Sequence, residues 1–304
     1  MNQEAFINYL RYEKRMSPHT VLAYSTDLDQ FYLYLKNVYS LTDIKEVNHS
    51  IIRSWVVSLM SEKERIPAKS GENSYSSRSV NRKISTLKSY YKFLLREKIL
   101  DINPMHKIQA PKNPKRLPAF VEESKMDMLS KEIPFENNFK GKRDLLIIEM
   151  LYATGMRRAE LINLKETDLN FHNNTLKVLG KRNKERLIPM TSSLKKLIIE
   201  YIDERNKTIE LKNNFIFVTE KGNQINPSAV YRSVKESLEK VTTLSKKSPH
   251  VLRHTFATHL LNNGANLNAI KELLGHANLA ATQVYTHNTI EKLKSVYSKA
   301  HPKA

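Results

Sequence analysis

Residues 103–118 read NPMHKIQAPKNPKRLP, with four prolines and four lysines or arginines. Proline locks φ and has no amide hydrogen to donate, so no continuous helix or central strand runs through this stretch. Such a sequence favours extended backbone. It divides a chain of 304 residues, long enough for two domains of ordinary size, into residues 1–102 and 119–304. A basic extended linker of this kind suits a path along a polyanion.

Residues 1–102 read as helices throughout. The first covers residues 4–14. Ser17 followed by Pro18 is an N-cap with a first-turn proline. Behind it Val21, Tyr24, Leu28, Phe31 and Leu35 recur at intervals of three and four and form one apolar stripe. Ile51, Ile52, Trp55, Val56 and Leu59 mark a third helix, capped by Asn48 or Ser50. Residues 66–77, IPAKSGENSYSS, are polar and read as a loop. A fourth helix over residues 79–98 turns Val80, Ile84, Leu87, Tyr91 and Leu94 to the core. Arg78, Arg82, Lys83, Lys88 and Lys92 lie largely off that stripe, either as a solvated face or as a surface for an anionic partner.

In the second part, residues 122–131 and 142–153 are helical, the latter strongly apolar, and Thr154-Gly155 interrupts it before a helix restarts at 156–164. Residues 175–179 and 186–190 are strand-like around Gly180-Lys181-Arg182-Asn183-Lys184, a hairpin with Lys181, Arg182 and Lys184 at its tip. A strand over 168–171 pairs with it. The remainder is helical, at 192–204, 227–241, 250–263, 267–274 and 279–285, with a tail helix over about 289–304. The fold class is mainly α in two domains: a helical N-terminal domain and an α+β domain with a small antiparallel sheet.

Net charge decides the class of partner. Lysine and arginine outnumber aspartate and glutamate by 50 to 31, giving +19, and a chain this basic points to nucleic acid. The absence of cysteine excludes disulfides, thiolate metal sites and a cysteine nucleophile, and suits a reducing cytoplasm. No apolar run reaches membrane-spanning length, and MNQEAFINYLRYEK lacks the apolar block of a secretion signal. The expected setting is cytoplasmic, with no membrane.

The chemistry-bearing residues concentrate in SPHVLRHTFATHLLNNGANLNAIKELLGHANLAATQVYTH. If Pro249 opens a helix, His250 and Arg253 project from its first turn on one face. His276 follows Gly275, and Tyr285 lies beyond it. Arginine offers a planar fork to two phosphate oxygens, histidine carries a proton near neutral pH, and tyrosine offers a hydroxyl that can attack phosphorus. His250 and His254 are four apart, as in a zinc helix, but Val251 stands where the glutamate would act and Arg253 repels a cation.

This segment, with ATGMRRAEL and LGKRNKERLIPM upstream, closely resembles the three conserved blocks of the tyrosine recombinases, the phage-integrase and Xer-type family. The resemblance covers essentially the whole chain. It makes Arg157, Lys181, His250, Arg253, His276 and Tyr285 the catalytic set, with none of the six substituted. It implies DNA strand exchange through a 3′-phosphotyrosyl link. Arg157 and Arg253 neutralise charge developing on the phosphate. His250 is the candidate base for the tyrosine proton, Lys181 the candidate acid for the departing 5′-oxygen, and His276 a donor to a phosphate oxygen. Glu160 is expected to hold these groups in place. Because the bond energy stays in the protein–DNA link, no cofactor, nucleotide or metal is expected.

The implied partner is double-stranded DNA with paired inverted half-sites, bound by a homo- or hetero-tetramer, with a paralogous recombinase as a possible second subunit. The tail helix is expected to dock on the neighbouring protomer. Within the family the Xer type, which resolves chromosome or plasmid dimers and so serves chromosome partition at cell division, matches best. A phage or transposon integrase shares the six residues. A type IB topoisomerase and a non-catalytic DNA-binding regulator are the other readings, and the intact six-residue set argues against the last.

Overall fold

The computed structural model describes residues 2–61, 75–113, 119–180, 184–275 and 287–303. Contacts divide the chain into two compact units, Met1–Arg116 and Leu117–Ala304.

In the first unit, α1 (Asn2–Asn8) continues as a short π-helical turn to Glu13, where a single α-helix was expected. α2 (Pro18–Tyr39) begins where the Ser17 side chain accepts from the Thr20 amide at 3.3 Å. α3 (His49–Met60) is capped by Asn48, whose side chain accepts from the amides of Ser50 and Ile51. α4 (Ser77–Arg96) is capped by Ser76. The expected stripes are the core: Leu28, Phe31 and Leu35 of α2, Ile52 and Trp55 of α3, and Val80, Ile84, Leu87, Tyr91 and Leu94 of α4 are all buried. Each such side chain contributes roughly 1.5–3 kcal/mol of transfer free energy. The expected loop at 66–77 lies mostly outside the described residues.

Lys83 corrects the expected basic face of α4. It is 1 % exposed, and its ammonium donates to Asp27 at 2.9 Å and to Gln30. Asp27, itself fully buried, also accepts from Arg82 and from Thr86. The buried arc of α4 is wider than the apolar stripe, and a carboxylate buried on α2 supplies the counter-charge a buried lysine requires. The first half of the proline-rich stretch is also not free chain: Met105 and Ile108 are buried in this unit, and Asn81 donates to the Pro111 carbonyl at 2.8 Å.

The second unit is helical around one small sheet. α5 (Glu123–Lys131) and α6 (Phe139–Thr154) lead to α7 (Arg158–Ile162). β1 (Leu169–Asn170), β2 (Thr175–Leu179) and β3 (Glu185–Pro189) form an antiparallel sheet in that order, with Leu176 opposite Ile188 and Val178 opposite Arg186. Then come α8 (Ser192–Thr208), α9 (Pro227–Glu239), α10 (Pro249–Asn262), α11 (Leu267–Leu274) and α12 (His287–Ala300). α6 is buried nearly all round and forms the centre of the unit. The helix expected at 279–285 lies outside the described residues. Among the described residues no helix is long and apolar enough to cross a membrane.

The tail is expected to dock on a neighbouring protomer; within the single chain it has a place on its own unit. α12 packs on its own unit: Leu293, Tyr297 and Ala300 are buried in the same core as α6. The Tyr297 hydroxyl donates to the Ala153 carbonyl at 2.9 Å, Asn263 donates to the Ala300 carbonyl at 3.0 Å, and Lys303 pairs with Glu149 at 2.6 Å. A terminal helix this short is marginal alone, and the groove beside α6 and α10 buries its apolar face.

Just past α12, His301 is 4 % exposed, and its ring stacks on Tyr297 at 4.9 Å between centroids. One ring nitrogen, Nε2, faces the Tyr152 carbonyl, and Nδ1 accepts from the Lys303 amide, so the imidazole is neutral. Burial pushes its pKa down to about 4, and Lys303 adds to the shift. An unfolded histidine titrates near 6.5. Between these values the unfolded chain binds more protons, so His301's contribution is complete above about pH 6.5 and is lost as pH falls toward 4. Acidification from pH 7 to pH 5 should therefore cost this unit about 2 kcal/mol through His301. Denaturant titrations of wild type and His301→Phe at both pH values check it: the difference in stability loss between the two proteins should equal that amount, and equal losses would refute it.

Candidate active site

The site grows from the end of α6. The helix stops at Gly155, in the left-handed region at φ 59°. A Cβ there would lie 2.4 Å from Phe256 Cδ1 and 2.9 Å from Leu274 Cδ2, so both the backbone conformation and the space require glycine. Two residues on, Arg157 is the extended residue that starts α7. Glu160 reaches back to it: one carboxylate oxygen accepts from the Arg157 amide at 2.8 Å, and the other accepts from Arg157 Nη1 at 2.8 Å. This satisfies an amide at the helix start and fixes the arginine side chain with one carboxylate.

α10 supplies the opposite side. Arg253 donates from Nη1 to the Gly155 carbonyl at 2.5 Å and from Nη2 to the Leu274 carbonyl at 2.7 Å. It thereby ties the end of α6 to the end of α11. His250 lies one turn earlier on α10 and is exposed.

The electrostatics follow from crowding positive groups. Burial and the neighbouring Arg157 lower the Arg253 pKa to about 10, which leaves it charged at neutral pH. His250 is held below its ordinary value by partial desolvation and by the charges of His254, Arg253, Arg158 and Arg157. It is therefore unprotonated at pH 7 and able to accept a proton. Burial works against the Glu160 carboxylate, but hydrogen bonds and charge from Arg186, then Arg157, hold its pKa below the usual range. Two cationic forks beside an unprotonated imidazole suit an anion whose charge increases during reaction.

Of the residues singled out from sequence, Arg157, Glu160, His250 and Arg253 come together here. Lys181, His276 and Tyr285 lie outside the described residues, as does Arg182. Lys184 is exposed at the base of the hairpin, its carbonyl accepting from the Gly180 amide at 2.8 Å. In the first unit Arg78, Lys88 and Lys92 are exposed on α4, Arg82 is half exposed and paired with Asp27, and Lys83 is buried as described.

One residue was missed. Arg186 on β3 is 3 % exposed and donates to both oxygens of Glu160, at 3.1 and 2.7 Å, and from Nε to the Leu273 carbonyl at 2.8 Å. The signal was present: two positions before the apolar Ile188, Arg186 falls on the inward face of a strand, where a charge needs a buried partner.

Comparison with known proteins agrees with this architecture. The phage integrase family matches residues 116–292, more than half of the chain, and the SAM-like N-terminal domain of phage integrases matches residues 4–98. The chain is 38% identical over 305 aligned residues to a protein of Oceanobacillus iheyensis called tyrosine recombinase XerC, covering 99% of this chain and 96% of that one. A Staphylococcus aureus protein of the same name is 37% identical, with coverages of 99% and 97%. Among solved structures, XerH site-specific recombinase bound to palindromic difH substrate, in a post-cleavage complex, superposes with a TM-score of 0.71 at 20% identity, covering 97% of this chain and 83% of that one. The Tn1549 transposon integrase in complex with transposon right end DNA gives 0.71 at 19% identity, with coverages of 98% and 99%. The structural likenesses speak for the fold, and the sequence matches, over nearly the full chain, show that this protein belongs to the phage integrase family, the tyrosine recombinases.

Proposed function

We propose that this chain is a Xer-type recombinase that cuts and rejoins paired inverted half-sites of duplex DNA in the cytoplasm, as a homo- or hetero-tetramer, and that it serves chromosome or plasmid dimer resolution. The observation that carries the chemistry is the pair of arginines, Arg157 and Arg253, fixed to one another through the end of α6 beside an unprotonated His250. The Xer type is supported by identity near 37% over nearly the full length of relatives called tyrosine recombinase XerC. The net charge of +19 suits a duplex DNA partner.

In this reading the Tyr285 hydroxyl attacks phosphorus and His250 takes its proton. A 3′-phosphotyrosyl bond forms, and the bond from phosphorus to the 5′-oxygen breaks. Lys181 protonates that oxygen as it leaves. Arg157, Arg253 and His276 stabilise the charge on the nonbridging oxygens. Attack by the 5′-hydroxyl of the partner strand reverses each step and frees the tyrosine. Arg78, Arg82, Lys88, Lys92, Arg182 and Lys184 are proposed to meet DNA phosphates, whereas Lys83 is withdrawn from that role by its burial.

Bond energy is conserved, so cleavage needs neither nucleotide nor metal. The expected result is an SDS-resistant protein–DNA adduct on a nicked two-half-site duplex in EDTA, with the DNA joined through its 3′ end. Cleavage that EDTA abolishes and magnesium restores would instead indicate a metal-dependent nuclease.

A further inference from the structure

We infer that Arg186 is a positioning residue that locks Arg157 and Arg253 into one frame, so that phosphodiester cleavage depends on it while DNA binding does not. The inference rests on the recombinase reading above and deepens it. Arg186 uses its planar fork on two elements at once. Two nitrogens bind the Glu160 carboxylate, which in turn holds Arg157, and the third binds the Leu273 carbonyl at the end of α11. The next carbonyl on that helix end, Leu274, is the one Arg253 holds. Arg253 closes the circuit through Gly155, two residues before Arg157.

The contacts therefore form a ring running Arg157, Glu160, Arg186, the end of α11, Arg253, and back to Gly155. Arg186 joins Glu160 directly to the end of α11. The surrounding backbone is built closely on Arg186. A Cβ at Gly275 would meet its Cδ at 3.1 Å, and one at Gly180 would lie 3.5 Å from its Nη1.

A lysine at this position keeps the charge but is a single point donor, unable to span both carboxylate oxygens and the carbonyl. With the ring open, the two arginines are tied only through the end of α6, and misplacement by about 1 Å can cost on the order of 100-fold in rate. Binding draws on phosphate contacts spread over both units and has no such dependence.

The test uses full-length protein and single-turnover adduct formation on the nicked two-half-site duplex, with gel-shift titration on one half-site. Arg186→Lys should bind within about twofold of wild type and form the adduct roughly 10–100-fold more slowly at saturating protein. Replacing the 5′-bridging oxygen by sulfur, which leaves without protonation, should not restore the rate, because the charge on the nonbridging oxygens is still unmet. Glu160→Gln opens the same ring from its other side. It should show the same loss, and the double variant should be no slower than the slower single one.

Wild-type cleavage by Arg186→Lys, rescue by sulfur, or losses that simply add would each overturn the assignment. Should Arg186→Lys fail to fold, Glu160→Gln with the sulfur substrate decides: a wild-type rate or rescue overturns the assignment, and an unrescued loss supports it. Absence of an adduct from the wild-type protein would sink the recombinase reading itself, whereas a wild-type adduct with unaffected variants sinks only the role of Arg186.

Discussion

Tyr285→Phe is expected to bind a half-site as tightly as wild type and to form no SDS-resistant adduct, a loss on the order of 10⁴-fold or more. The substitution removes one oxygen and leaves the ring, so an effect confined to the covalent step identifies the nucleophile. A tyrosine hydroxyl has a pKa near 10, and only about one in a thousand is ionised at pH 7, so attack requires a base within reach. The unprotonated, exposed His250 is suited to that duty.

The chain has 14 tyrosines, and the structure removes the nearest rival in sequence. Tyr297 is 2 % exposed, its hydroxyl is committed to the Ala153 carbonyl, and burial raises its pKa far above the ordinary value. Tyr152 and Tyr201 are likewise buried with their hydroxyls bonded. An adduct formed by Tyr285→Phe on the nicked duplex would move the nucleophile to an exposed tyrosine elsewhere and sink the assignment.

Glu160→Ala should destabilise the second unit by about 3–5 kcal/mol, because it leaves Arg186 buried with no counter-charge. For a domain of this size that corresponds to a fall in Tm on the order of 10 °C. The loss is larger than the net value of the ion pair, since most of it is the cost of the stranded guanidinium. Replacing Arg186 and Glu160 together by apolar residues of similar volume should therefore recover much of the stability without recovering cleavage. The native pair contributes fully above the unfolded carboxylate pKa of about 4.3 and is lost as pH falls through the lower folded value. Differential scanning calorimetry of the single and double variants at pH 7 measures this. A Tm for Glu160→Ala within a degree or two of wild type would mean that water reaches Arg186 and the ring is not sealed.

Local features of this protein were legible in its residues alone. Ser17-Pro18 and Asn48 start helices because a short polar side chain meets amides two or three residues away. The stripes of α2, α3 and α4 repeat at helical spacing and are buried as that spacing requires. The hairpin of β2 and β3 announces itself by alternation around a glycine-led turn. Arg157, Glu160, His250 and Arg253 were singled out because their blocks resemble those of a family, and the structure gathers them at the ends of α6 and α10.

The tertiary structure decided whatever depends on a partner far along the chain. Lys83 looks like its exposed neighbours until Asp27, 56 positions away, is seen buried beneath it. Arg186 looks like hairpin charge until Leu273, 87 positions away, accepts its hydrogen bond. The tail helix has an apolar face in any window, but only the fold shows that within the chain Tyr297 on it meets Ala153, 144 positions away. Charge and hydrogen bonding act over a few ångströms of space, and only the folded chain determines which residues share that space.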